Sequence, residues 1–153
     1  MIDHDYAAYL VAMNPSCCVS TDLGCDRGFV SQIQQKAARL RPNMPTAVVA
    51  DWIWIDIYQN IPENGNDPET LLDSFVLAYR LLQDDSDRGF RGVITTSLQE
   101  VLWKCLFVTR NTHYILCGSG KRATVYVEES GGTVVLATAL HHQDNSKALK
   151  SVH

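Results

Sequence analysis

The hydrophobic pattern along the chain reads first as helical and then, past residue 112, as stranded. Tyr6 to Met13 has the composition of a short helix, and Asn14-Pro15 stops it before the loop-like run PSCCVSTDLG. From Phe29, the apolar positions Phe29, Ile33, Ala37 and Leu40 recur at helical spacing. Lys36, Arg39 and Arg41 suit the negative end of that helix, and Pro42 ends it. The run AVVADWIWIDIYQNI fits two descriptions: Trp52, Ile53, Trp54, Ile55 and Ile57 have high strand propensity, while Val48, Trp52 and Ile55 share a helical face. Helix is the reading adopted for it.

Asp67 followed by Pro68 has the form of an N-cap and first helical residue, ahead of a helix that would bury Leu71, Leu72, Phe75, Ala78, Tyr79 and Leu82. Ser97 and Glu100 have the capping-box spacing, which predicts a further helix through Val101, Leu102, Cys105 and Leu106, stopping near Arg110-Asn111. Three β-rich runs follow, THYILCG, ATVYVEE and TVVLATAL, separated by Gly118-Ser119-Gly120 and Ser130-Gly131-Gly132. Glycines at those positions predict hairpin turns. The expected fold class is therefore α+β, with N-terminal helices followed by a three-stranded antiparallel β-meander. One globular domain over 1–153 is expected, with residues 143–153 as a frayed polar tail.

Charge narrows the partners. A formal net charge of -4, with 13 Lys and Arg residues scattered rather than striped, gives no footprint for a polyanion, so nucleic acid is not an expected partner. No apolar run approaches the roughly 20 residues that cross a bilayer, so no membrane partner is expected. The N-terminal residues lack a basic stretch followed by a small-residue cleavage pattern, and the five cysteines are odd in number with no C-x-x-C pair. Reduced thiols and a cytoplasmic location are the expectation. Asp-Arg-Gly-Phe occurs at Asp26–Phe29 and again at Asp87–Phe90, but the residues after the two copies disagree and do not make a repeat.

Cys25, in DLGCDRGFV, is the sharpest candidate for chemistry. If a helix begins at Asp22 or Gly24, its first turn would stabilise a thiolate there. A nucleophilic cysteine also needs a base, for which His113 or the pair His141 and His142 are the candidates. The ordinary role of such a residue is a small core or loop thiol. Cys17, Cys18 and Cys25 with a histidine offer zinc-type donors at a spacing that fits no standard site, so no metal and no cofactor are expected. CGSGKR lacks the first glycine of a phosphate-binding loop, because Ile115 stands in its place. Asp51 and Asp56 do not share a face, Trp52, Trp54, Tyr58 and Trp103 have the default role of core aromatics, and Asp84, Asp85 and Asp87 that of a solvated acidic run.

A cysteine opening a helix in GCDRGFV, followed by a histidine opening an antiparallel sheet in THYILCGSGK, resembles papain-like amidases of the NlpC/P60 type and small cell-wall amidase effectors. The resemblance implies a thiol amidase or deamidase in which Cys25 attacks a carbonyl and His113 moves the proton. It departs from that pattern at Asp26, whose charge opposes a thiolate, and Glu128, Asp144 and Asn145 compete for the third position without a geometric preference. Two functions are carried forward: a noncatalytic protein-binding module of inhibitor, immunity or adaptor type, whose partner is another protein, and the Cys25–His113 amide hydrolase.

Overall fold

The computed structural model describes residues 3–59, 70–84, 92–130 and 133–140. Two helices, α1 (His4–Met13) and α2 (Val30–Leu40), stand against strands β1 (Val19–Ser20), β2 (Thr46–Gln59), β3 (Thr70–Asp84), β4 (Val93–Ile94), β5 (Glu100–Leu102), β6 (Leu106–Val108), β7 (His113–Leu116), β8 (Lys121–Ser130) and β9 (Thr133–Leu140). All nine strands join one mixed sheet with the path β1-β8-β2-β7-β6-β5; β3 is added on β2, β4 on β3 and β9 on β8.

The expected succession of helices before a meander is therefore corrected to a mostly β fold with two short helices among the described residues. Both helices were legible, but the three further helical readings were not helices. The run 46–59 is β2, and the run 70–84 is β3, its antiparallel neighbour. Its positions alternate between two cores, Phe75 and Leu77 on one face and Val76 and Ala78 on the other, so burial on both sides erased the period of two. The expected capping box at Ser97 is used otherwise: Ser97 Oγ donates to Asp73 at 2.9 Å, and Glu100 pairs with Arg41 at 2.9 Å. Glu100 opens β5, which turns back into β6. The cap proposed at Asp67-Pro68, the second Asp-Arg-Gly-Phe copy, Asp85, His141, His142, Asp144, Asn145 and the tail lie outside the described residues.

β2 is the trunk of the sheet. Along one edge it carries β3; along the other it pairs in parallel first with β7, over Thr46–Val49, and then with β8, over Ile53–Gln59. β7 and β8 thus run in the same direction and are not hairpin partners, whereas β8 and β9 do pair antiparallel as expected. Between β7 and β8, Cys117 to Gly120 arcs past Trp52. The glycines that read as a hairpin turn serve this arc instead, since a Cβ on Gly120 would stand 2.3 Å from the Trp52 ring.

β2 changes face at the same place. Ala47 and Val49 share a core cluster with Trp52 and Trp54, so the alternation slips by one at Asp51, whose φ is +51°. That cluster also holds Val76, Phe107, Tyr114 and Leu116. Past the slip, Ile53, Ile55 and Ile57 pack with Ala7 and Val11 of α1; before it, Val48 packs with Ile33 and Ala37 of α2. α1 is fixed by His4, whose ring stacks on Phe75 at 4.2 Å and whose Nε2 meets Asp73 at 2.6 Å.

Candidate functional site

The arc past Trp52 makes a node where three cysteines meet. Cys25 forms a parallel bridge with Cys117, its N–H donates to Leu116 O at 3.0 Å, and Gly118 N–H donates to Cys25 O at 2.7 Å. Gly24 is required here: its φ is +103°, and a Cβ would stand 2.4 Å from Gly118 O. The Cys25 thiol hydrogen-bonds to Cys105, and burial, followed by the Cys105 neighbour, pushes it up to about 12. Burial pushes the Cys105 thiol up as well. None of the five cysteines is in a disulfide.

The helix expected to begin at Asp22 or Gly24 begins at Val30, after a 3₁₀ turn over Arg27–Phe29. Cys25 therefore lies outside the first turn, where a helix dipole would favour its anion. His113 is fully buried at the opposite end of β7 from Cys117, four residues along a strand or about 13 Å. Neither of its ring nitrogens has a hydrogen-bond partner, and burial together with the Arg41 charge pushes its pKa down. The recorded partner of the Cys25 thiol is thus another thiol, and the His113 ring has none.

Cys25 borders a cleft of about 430 Å³ lined by Thr21, Asp22, Leu23, Asp26, Phe29 and Ser119. The β5–β6 turn adjoins it: Gly24 N–H donates to Lys104 O at 2.8 Å, and Lys104 Nζ lies 3.7 Å from Asp22. In that turn Cys105 N–H donates to Leu102 O at 3.1 Å, and both central residues are left-handed, Trp103 at φ +53° and Lys104 at φ +61°. Trp103 is 42% exposed with Lys36 Nζ 5.4 Å above its ring; Val101, two residues earlier, is exposed, and so is Phe29 on the cleft lining. Sequence reasoning placed Trp103 in the core. Only the turn geometry brings it to the surface.

Other groupings are tied up structurally. His4, Asp73 and Ser97 have the composition of a catalytic triad, but Ser97 donates to Asp73 and not to the imidazole. The second ring nitrogen of His4 faces Thr95 O at 3.0 Å, so neither nitrogen is free to act as a base toward Ser97. Trp52 and Trp54 are buried as expected, and Asp56 is buried with them. Its Oδ1 accepts from Trp54 Nε1 at 2.8 Å and Ser74 Oγ at 2.7 Å, and its Oδ2 from Arg122 Nε at 2.6 Å.

Cys18 contrasts with Cys25. A hydrogen bond from Cys17 holds its thiol down to about 7, against burial and with help from the Lys121 charge. Sequence reasoning missed it because the Cys17 contact forms at the end of the 3₁₀ turn over Pro15–Cys17 and Lys121 is brought near by the pairing of Ser20 with Lys121 between β1 and β8. Among the described residues no group of three or more His, Cys, Asp or Glu side chains is arranged to hold a metal, and no helix is long and apolar enough to cross a membrane.

A family model described as a domain of unknown function (DUF6957) matches residues 23–131, which include the Trp103 turn, the Asp56–Arg122 pair and the cleft lining apart from Thr21 and Asp22. No curated protein and no solved structure matches the chain.

Proposed function

The chain belongs to that family, and from its own geometry we propose that it is a noncatalytic protein-binding module whose contact surface is the Trp103 turn together with the adjoining cleft. The observation that carries this is the backbone of Trp103. A left-handed conformation costs a residue with a side chain of this size roughly 1–2 kcal/mol, and Asn or Gly would remove most of that. Here the strained position presents a half-exposed tryptophan, the side chain most enriched among binding anchors. Phe29 adds a second exposed aromatic, while Asp22 and Asp26 give the cleft a negative lining suited to a partner with a basic residue beside an apolar one.

The hydrolase reading asks Cys25 to ionise and His113 to take its proton. A thiol pushed up to about 12 and a buried imidazole at the far end of β7 give that reading little support. A cytoplasmic setting fits the binding reading, as cysteines outside any disulfide persist in reduced form there.

The test places a photo-crosslinking amino acid at position 101, beside the Trp103 anchor, in the cells that make the protein, with position 79 as control, since Tyr79 on β3 is more exposed, at 53%, than Val101, at 39%. A discrete crosslinked protein from position 101 and none from position 79 is expected. Equal crosslinking from both positions, or none from 101, overturns the proposal.

A further inference from the structure

A second, smaller cavity of about 170 Å³ lies beside β8, lined by Cys17, Val19, Asp56, Tyr58, Arg122 and Thr124. We infer that it is a receptor for a small oxyanion, a carboxylate or a phosphate group, gripped by the outer nitrogens of Arg122 with the Thr124 hydroxyl beside them.

The argument starts from how unequally the ion pair is buried. The Asp56 side chain is 5% exposed and that of Arg122 42%, so the carboxylate is sequestered while the guanidinium opens to the cavity. Asp56 is satisfied by three donors, and its bond to Arg122 uses Nε. A guanidinium has five N–H groups, and this bond takes one of them. The Trp54 ring lies 5.1 Å from the guanidinium carbon and braces its face. A planar fork held along one edge and on one face is preorganised to give its remaining edge to a two-oxygen acceptor. Trp54, Ser74 and Asp56 together do more than neutralise a charge. They fix the direction in which it points, as the supporting residues around a binding group do.

Size agrees with this. The charged residues of the lining are Arg122 and Asp56, and of the two it is the cation that is the more exposed. The cavity volume is below the roughly 300 Å³ at which pockets for drug-sized ligands begin, which suits a single oxyanion group rather than a nucleotide.

The Trp54 indole N–H, bonded to Asp56, is the natural reporter. The full chain, labelled with nitrogen-15, is titrated separately with sodium phosphate and sodium acetate at constant ionic strength set by sodium chloride, the Trp54 resonance being assigned through Trp54→Phe. A saturable shift of that resonance is expected with at least one of the two anions, while the exposed Trp103 indole stays unmoved. The anion that saturates at lower concentration identifies the group as phosphate or carboxylate. Arg122→Lys keeps the charge but loses the fork and is expected to weaken binding at least 10-fold. Thr124→Val is expected to weaken it several-fold, and it decides the matter if Arg122→Lys does not fold. No saturable shift with either anion, or saturation unchanged in Thr124→Val and in any folded Arg122→Lys, overturns the inference.

Discussion

Gly120 lies flat against the indole of Trp52, so that a Cβ added there would stand 2.3 to 2.4 Å from three of its ring atoms. The same indole donates through Nε1 to Cys117 O at 3.3 Å and would meet a Cβ on Gly24 at 2.9 Å. Two glycines from distant parts of the chain thus cradle one tryptophan at the point where β7 gives way to β8. Gly120→Ala forces either the ring or the arc to move and is expected to cost about 2 kcal/mol or more, by overpacking. Chemical denaturation checks this. An unchanged midpoint would mean that the arc is not held against Trp52.

His113 carries two buried ring nitrogens without partners. His113→Leu, of similar volume, removes both and is expected to stabilise the fold by about 1–3 kcal/mol at neutral pH. The wild-type pH dependence follows from the lowered pKa of His113. As pH falls, the unfolded chain takes up this proton first, near the ordinary histidine value of about 6.5. The stability of the wild type is therefore full above that value and declines below it, by up to about 1.4 kcal/mol per pH unit, until the folded form is also protonated. In His113→Leu this part of the decline disappears. Urea midpoints between pH 5 and 8 make the comparison, and parallel curves for the two proteins would contradict it.

The two cysteines near the N-terminal loop differ in the opposite sense from the one the sequence suggested. With Cys18 held down to about 7 and Cys25 pushed up to about 12, Cys18 is largely thiolate just above neutrality and Cys25 is not. Iodoacetamide at pH 7.5 is expected to label Cys18 at least about 100-fold faster than Cys25, even allowing for the lower nucleophilicity of a weaker base. Lys121→Gln should slow Cys18 labelling near neutral pH. Peptide mapping over time reads both rates. Faster labelling at Cys25 would return it to candidacy as the nucleophile.

How far the fold was legible depends on whether burial was one-sided. α2 and the hairpin strands β8 and β9 were legible, because Phe29 to Leu40 has a clear helical period and the β8 and β9 runs are β-rich around a glycine turn. β2 and β3 were not, because each packs both faces into separate cores and Asp51 reverses the alternation midway, leaving a continuous apolar run without a period. Ser97 and Glu100 had helix-cap spacing, but distant partners, Asp73 and Arg41, claimed them. At the site, the unusual character of the Cys25 stretch was visible, and what surrounds it was not. Cys105 and Cys117 reach it through strand pairings between segments about 80 residues or more apart, and the left-handed backbone of Trp103 and Lys104 has no glycine or asparagine to announce it.

Replacing Trp103 and Lys104 together by Asn and Gly isolates the central claim, because the two roles assigned to the turn then move in opposite directions. The left-handed positions at φ +53° and +61° become favourable, so the unfolding midpoint is expected to rise by a few degrees, in line with about 1 kcal/mol, despite loss of the Lys36 contact. The surface anchor disappears at the same time. The decisive measurement is therefore quantitative retention of the crosslinked partner by the wild type and by this double variant, immobilised side by side at a temperature where both are folded. The account predicts loss of at least 10-fold from the variant. Equal retention by a variant no less stable than the wild type would contradict it.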